Sequence, residues 1–255
     1  MISRKISVRK FNLRKLKKYN HPSVSLFRGI ELKVLSKVLN KMEINGPSMD
    51  LGCGDGYISK TIFKNQFEYG VDNDEAGDVK IAIKKKRYKT VLVQSAEKTT
   101  ITSNSLNLVF SNSVIEHIPN NEKVLNEVSR VLRKGGYFIF TCPSIYFTKY
   151  LTEKFGRLYT QVRNKQFNHY HLLSHNAWKK RLAKHSLKLT NHYYYMDKKT
   201  LIFWEKTLWQ HKLNKILPFI FDNPKVYNKE IEEIVSSSKT SKMQGANVLI
   251  IAQKK

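Results

Sequence analysis

The sequence is poor in cysteine, in alanine and in long apolar runs, and these shortages set the first limits. Its 255 residues hold two cysteines, Cys53 and Cys142. Two thiols build no disulfide framework and no Cys/His spacing suggests a zinc site, so a reducing cytoplasm is the expected setting and no metal is expected. No apolar stretch reaches the ~18 residues that a membrane span needs. The N-terminus lacks the apolar centre of a secretory signal. Met1 to Asn20 is basic and acid-free, broken by Ile2, Ile6, Phe11, Leu13 and Leu16. A mitochondrial transit peptide has a similar make-up, but the lysine content argues against one.

Acidic residues are scarce as well, 20 against 46 lysines and arginines, for a net charge of +26. A basic surplus attracts nucleic acid, anionic lipid or acidic glycans. Yet 36 of the basic residues are lysines, and 20 asparagines stand against seven alanines. That bias is the mark of AT-rich coding, which would spread lysine through any protein of the same genome. The charge is weak ground for a polyanionic partner.

What is present is the material for one α/β domain with elaborations. Ser25 to Leu39 carries Leu26, Ile30, Val34, Leu35 and Val38 at helical spacing. A short strand then enters a glycine-rich turn, Met49-Asp50-Leu51-Gly52-Cys53-Gly54-Asp55-Gly56, and Tyr57 to Lys64 reads as a helix. Further strands are expected at Glu68 to Val71, Thr90 to Val93, Leu106 to Ser111 and Tyr137 to Cys142, with helices at Ala76 to Lys86 and Asn121 to Leu132 and a turn at Lys134 to Gly136. A helix over Asn176 to His185 and strands at Leu187 to Met196 and Asn247 to Gln253 follow. Strands alternating with helices predict a parallel sheet covered on both faces. The expected organisation is a basic segment over residues 1–24, then one domain over 25–255 with a helical insertion at 200–243.

In such a sheet, ligands bind at the carboxyl ends of the strands where the strand order reverses. The glycine turn lies at the end of the first strand, where its backbone can approach a ligand without Cβ clashes. Asp50, just before it, could hold an ammonium group or orient the loop. Asp72 ends the second strand about 20 residues later, a place from which a carboxylate can accept both hydroxyls of a ribose. NAD would need G-x-G-x-x-G to seat its pyrophosphate. Here the glycines fall at 52, 54 and 56, and the position three after Gly54 is Tyr57. The charges of Asp50 and Asp55 suit a cationic cofactor better than a pyrophosphate.

Four ordered motifs, MDLGCGDG at 49–56, GVDND at 70–74, QSAEKTTITSNSLNLVFSNSVIEHIP at 94–119 and LNEVSRVLRKGGYFIFTCPS at 125–144, together carry a resemblance. The stretch from Asn20 to Ser186 resembles class I S-adenosylmethionine-dependent methyltransferases, in particular the broad small-molecule group called type 11. The resemblance implies a Rossmann-like, doubly wound seven-stranded sheet of order 3-2-1-4-5-7-6, its last strand antiparallel and filled by NVLIIAQ, with helical lid insertions. It implies S-adenosyl-L-methionine as cofactor. Asp50, Gly52 and Gly54 would line its methionine part, Asp72 would take the ribose, and Asn73 would lie beside the adenine. Ser95, Ala96 and Glu97 would cover the adenine edge, with Ser95 where the family usually has Asp. Asn112 and Ser113 would sit near the transferable methyl.

Methyl transfer mainly needs alignment of nucleophile, methyl and sulfur, and sometimes removal of a proton. His117 lies close to the site by resemblance and is a candidate catalytic base, or else a capping or packing histidine. His171, in His169-Tyr170-His171-Leu172-Leu173-Ser174, falls in a segment similar to the family's substrate side and is the preferred general base for an oxygen acceptor. His169 and His175 read as ordinary loop residues and Cys53 as a packing residue; Arg28 and Glu31 of FRGIEL are reasonable contacts for the cofactor carboxylate or the acceptor, but read first as a solvated helix face. The stretch 201–221 is amphipathic, basic and tryptophan-bearing, which suits a lid helix or peripheral contact with a membrane surface. The expected function is methyl transfer to a small-molecule, glycan or lipid-linked acceptor. An RNA methyltransferase is the alternative, against which stands the absence of N/D-P-P-Y/F and of any RNA-binding module. A cofactor-binding protein without activity is a third reading, disfavoured by the intact glycine turn and Asp72.

Overall fold

Residues 5–19 of the basic segment pack against the domain. β1 (Lys5–Ile6) pairs antiparallel with β2 (Ile44–Asn45), Val8 bridges to Phe63, and a 3-10 turn covers Leu13–Lys18. Ile6, Val8 and Leu16 are buried; the apolar residues that interrupt the basic segment are its anchors. The computed structural model describes residues 5–19, 21–216 and 224–255. The expectations for 1–4, for residue 20 and for the end of the 201–221 stretch lie outside the described residues.

α1 (Pro22–Leu39) starts on a proline whose missing N–H is no loss in a first helical turn. Seven strands then form one sheet: β3 (Ser48–Leu51), β4 (Phe67–Asp72), β5 (Tyr88–Val93), β6 (Leu106–Asn112), β7 (Leu132–Pro143), β8 (Leu187–Tyr195) and β9 (Asn247–Lys254). Their order is β5-β4-β3-β6-β7-β9-β8. β3 to β7 pair in parallel and β9 runs antiparallel to both neighbours. Numbered within the sheet this is 3-2-1-4-5-7-6, the expected order.

Successive residues of a strand face opposite sides, and both sides are apolar here. Phe110, Ile139 and Leu249 join the core under α1. Val109, Phe138, Phe140, Val248 and Ile250 join the other core. α2 (Tyr57–Ile62), α3 (Val79–Lys84) and α4 (Asn121–Val131) are the crossovers between parallel strands. The turn expected at Lys134–Gly136 lies inside β7, looped out where the register against β6 shifts between Leu106 and Leu108.

After β7, α5 (Ile145–Phe155) and α6 (Arg157–Gln166) lead to α7 (His175–Ala183). α8 (Lys198–Ile216) and α9 (Pro224–Ser237) make up most of the expected insertion. Lys33 Nζ of α1 donates to the carbonyls of Val235, Ser236 and Ser238 at 2.5–3.0 Å, capping the end of α9 with a cation. Arg163 of α6 pairs with the fully buried Glu205 of α8 and stacks near Tyr159, Phe167 and Trp209. Leu201 and Trp204 turn inward from α8, whereas Trp209 is 45% exposed. No helix among the described residues is long and apolar enough to cross a membrane.

Candidate cofactor and acceptor site

The strand order reverses between β3 and β6, and the two chain ends there define the site. Leaving β3, Gly52 and Cys53 both donate their N–H to Val71 O, at 2.8 and 3.1 Å, which folds the turn back over β4. Gly52 has φ +75° and a Cβ built on it would stand 2.2 Å from Val114 Cγ2, so glycine is needed for backbone approach to the loop after β6. Gly54 has φ +46° and nothing within 4 Å of such a Cβ. One glycine serves packing inside the protein; the other faces open space.

Asp72 fastens this turn. Its Oδ2 accepts the Gly54 N–H and its Oδ1 the Asp74 N–H, both at 2.8 Å, while its backbone oxygen accepts from Gln94 N at 2.9 Å. Each carboxylate oxygen keeps a second lone pair for a ligand. Asn73 is exposed beside it and donates to Glu75 at 2.6 Å. Ser95 Oγ accepts the Glu97 N–H at 3.2 Å, Glu97 pairs with Lys123 at 3.4 Å, and Ala96 packs on the core. The resemblance-based cofactor residues at the ends of β3, β4 and β5 are thus neighbours in space.

Asp50 has a different surrounding from the one expected of a ligand-facing carboxylate. It is buried, and Tyr88 Oη donates to its Oδ2 at 2.5 Å, with Ser59 Oγ 2.8 Å from the same phenol oxygen. Burial pushes its pKa up to about 7 against the pull of those hydrogen bonds. Of the two roles expected for Asp50, the structure supports orientation of the loop from beneath.

The FRGIEL segment is a correction. Glu31 is not on a solvated face but fully buried, pointing from α1 at the ends of β6, β7 and β8. Its Oε2 accepts from Arg28 Nη1 at 2.5 Å. Its Oε1 accepts from Ser113, Thr141 and Tyr195 at 3.3, 3.0 and 3.0 Å. Arg28 also donates to Asn112 Oδ1 at 2.9 Å, and Asn112 Nδ2 donates to Thr141 Oγ1 at 2.5 Å. Asn112 and Ser113, expected near the transferable methyl, are members of a network centred on Glu31. The Arg28 side chain remains 26% exposed.

The histidines divide. His117 is 40% exposed, near Asn168 O at 3.3 Å, with its pKa lowered by burial. His171 is another correction. Its Nε2 lies 2.9 Å from Pro119 O and its Nδ1 3.3 Å from Arg181 Nη1. A carbonyl can only accept and a guanidinium can only donate, so the ring is held as the Nε2–H tautomer with its one basic nitrogen engaged by a cation. The base expected at His171 is not free there. His169 is not an ordinary loop residue either: it is stacked with His117 and Phe167, and burial lowers its pKa to about 4.

Glu116, beside His117, is 1% exposed, and its Oε2 has no hydrogen-bond partner. Burial pushes its pKa up to about 8, with Glu31 adding to the rise and Arg28 opposing it. The folded chain thus holds a proton that the unfolded chain releases between about pH 4.5 and pH 8, so its contribution to stability is lost as pH rises through that window. Arg28 and Glu31 of α1, Cys142 of β7 and His117 are the titratable groups around it. Glu116→Gln should therefore gain melting temperature relative to wild type from pH 5 to pH 8. A constant difference between the two melting curves across that range would contradict this.

Residues 49–140 match the sequence profile of a family described as a methyltransferase domain. This stretch of the chain is a methyltransferase domain. Its sheet order is the one that the resemblance to class I methyltransferases implied. Dimethylglycine N-methyltransferase of Parasynechococcus marenigrum is 32% identical over 105 residues, 38% of either chain; the match spans well under half of that relative's length. Among solved structures, an S-adenosylmethionine-dependent methyltransferase of Thermotoga maritima, described as a possible histamine N-methyltransferase, superposes with a TM-score of 0.59 at 19% identity, covering 95% of this chain and 97% of that one. Geranyl diphosphate C-methyltransferase of Streptomyces coelicolor, with S-adenosyl-L-homocysteine bound, gives 0.54 at 14% identity, covering 99% and 91%. These structural likenesses concern the fold.

Glu116, Thr141 and Tyr195 are the residues of this site that sequence reasoning passed over, and the burial of Glu31 was not foreseen. A signal existed for Glu31: it is the one acidic residue of α1, three residues after an arginine. For Thr141 and Tyr195 there was none, because only the sheet order brings the ends of β7 and β8 to α1.

Proposed function

We propose that the chain transfers a methyl group from S-adenosylmethionine to a small-molecule acceptor seated between the glycine turn and the helices α1, α5 and α8. The supporting observation is the open space over Gly54 next to the Asp72 carboxylate at the point of strand reversal. Asp72 would receive the ribose hydroxyls, with Asn73, Ser95, Ala96 and Glu97 around the adenine. Arg28, already steadied by Glu31 and Asn112, would receive the cofactor's carboxylate. Bound there, S-adenosylmethionine supplies an activated methyl carbon, so the protein's remaining task is alignment and exclusion of water. Asn112 and Ser113 fix the floor of the acceptor space. S-adenosylhomocysteine should bind at one site per chain by calorimetry; a chain that does not bind it refutes the reading.

The acceptor expected from sequence was an oxygen nucleophile with His171 as its base. The engaged ring of His171 removes that support, and the curated relative matched in sequence is named an N-methyltransferase. His171→Gln should leave kcat within about threefold of wild type, where a lost general base would cost 10²–10⁴-fold. A loss of that size would restore His171 to the chemistry.

A further inference from the structure

An aromatic cluster joins α1, α5, α8 and the loop after α6. Arg28 lies 5.3 Å from the Phe27 ring centroid, and Phe27 meets Trp204 at 6.2 Å. Trp204 meets Phe167 and Phe147 at 5.9 and 6.1 Å. Both meet His169, at 5.4 and 5.3 Å, and His169 stacks on His117 at 5.5 Å. The rim thus runs from α1 through α8 and α5 back to the residue beside Glu116. Tyr170 N donates to Glu116 O at 2.8 Å, which holds this loop against the 3-10 turn that carries the carboxyl.

The charges beside this cluster are unevenly matched. Glu31 has Arg28 and three hydroxyls. Glu116 has an oxygen without a partner, although a buried polar group left unpaired is costly. His117 and His169 are both held toward the neutral form by burial, so neither supplies the missing cation. An aromatic face attracts cations and offers a hydroxyl little.

We infer that the methyl acceptor is a protonated amine, a small alkyl- or arylalkylammonium, received between the Glu116 carboxyl and the aromatic rim of Phe27, Trp204, Phe167, Phe147 and His169. This rests on the function proposed above and specifies its acceptor. The ammonium brings the positive charge and the N–H that the Glu116 oxygen lacks, and it draws the carboxyl to its charged form. Glu116 then takes one proton from nitrogen. The freed lone pair forms the N–C bond as the C–S bond of the co-substrate breaks, and that bond's electron pair stays on sulfur. The products are a methylated ammonium, S-adenosylhomocysteine and protonated Glu116.

The test is calorimetry on the chain saturated with S-adenosylhomocysteine, titrated with propylammonium, dimethylammonium and phenethylammonium and with the neutral alcohol matching each. At least one ammonium should bind wild type tenfold or more tightly than its alcohol. Glu116→Gln, with S-adenosylhomocysteine affinity unchanged, should reduce that preference to within twofold. Alcohols binding as well as ammoniums, no ammonium binding, or a preference intact in Glu116→Gln would each overturn the inference. The wild-type comparison stands whether or not the variant folds. Failure of S-adenosylhomocysteine itself to bind overturns the underlying function and this acceptor with it, whereas its tight binding without an ammonium preference overturns the acceptor alone.

Discussion

Asp72→Ala is expected to weaken S-adenosylhomocysteine binding by roughly 10- to 150-fold, the equivalent of about 1.5–3 kcal/mol for a hydrogen bond to a charged group. The upper end is favoured because two losses coincide. The ribose would lose its acceptor, and the Gly54 and Asp74 amides, each 2.8 Å from an Asp72 oxygen, would lose theirs. The turn would then pay in ordering what it now receives from the side chain. Asp72→Asn keeps one acceptor oxygen and should fall between the two. Calorimetry in which Asp72→Ala binds within twofold of wild type would remove Asp72 from the cofactor site.

Glu31→Ala should cost the fold about 3–5 kcal/mol, the range for breaking a buried ion pair from one side. It leaves the Arg28 guanidinium without its carboxylate, with only Asn112 Oδ1 to accept from Nη1, and takes the shared acceptor from Ser113, Thr141 and Tyr195. Those four groups sit on α1, the loop after β6, β7 and β8, so the loss would loosen the joint between the lid side and the sheet. Glu31→Gln leaves an oxygen for the hydroxyls and loses mainly the charge of the Arg28 pair. Its expected place is between alanine and wild type. Urea unfolding is the check, and a loss under 1 kcal/mol for Glu31→Ala would show that the network is not a stabilising centre.

The sheet was legible because parallel strands buried on both faces read as short apolar runs punctuated by glycine and acidic turns, as at 49–56 and 70–74. Cofactor residues at strand ends were legible for the same reason: their position follows from where the strand stops. α5 and α6 were not. α6, RLYTQVRNKQ, has no apolar stripe, and Leu158 and Val162 are 80% and 57% exposed; its place is set by Arg163 reaching Glu205, a contact 42 residues away. The acceptor side depended on such long-range contacts throughout. His171 looked like a base by its residue type, and only the neighbouring Pro119 carbonyl and Arg181 show that its nitrogens are spoken for. Glu116 carried no signal of its own in the sequence, and only burial makes its carboxyl unusual.

The most direct test is to incubate the wild-type chain with S-adenosylmethionine labelled on the methyl group and an extract separated into small molecules, RNA and protein. Methyl transfer at the proposed site predicts label in the small-molecule fraction, abolished by Asp72→Ala. Label confined to RNA or protein, or no transfer to any fraction by a chain that binds the cofactor, would contradict it.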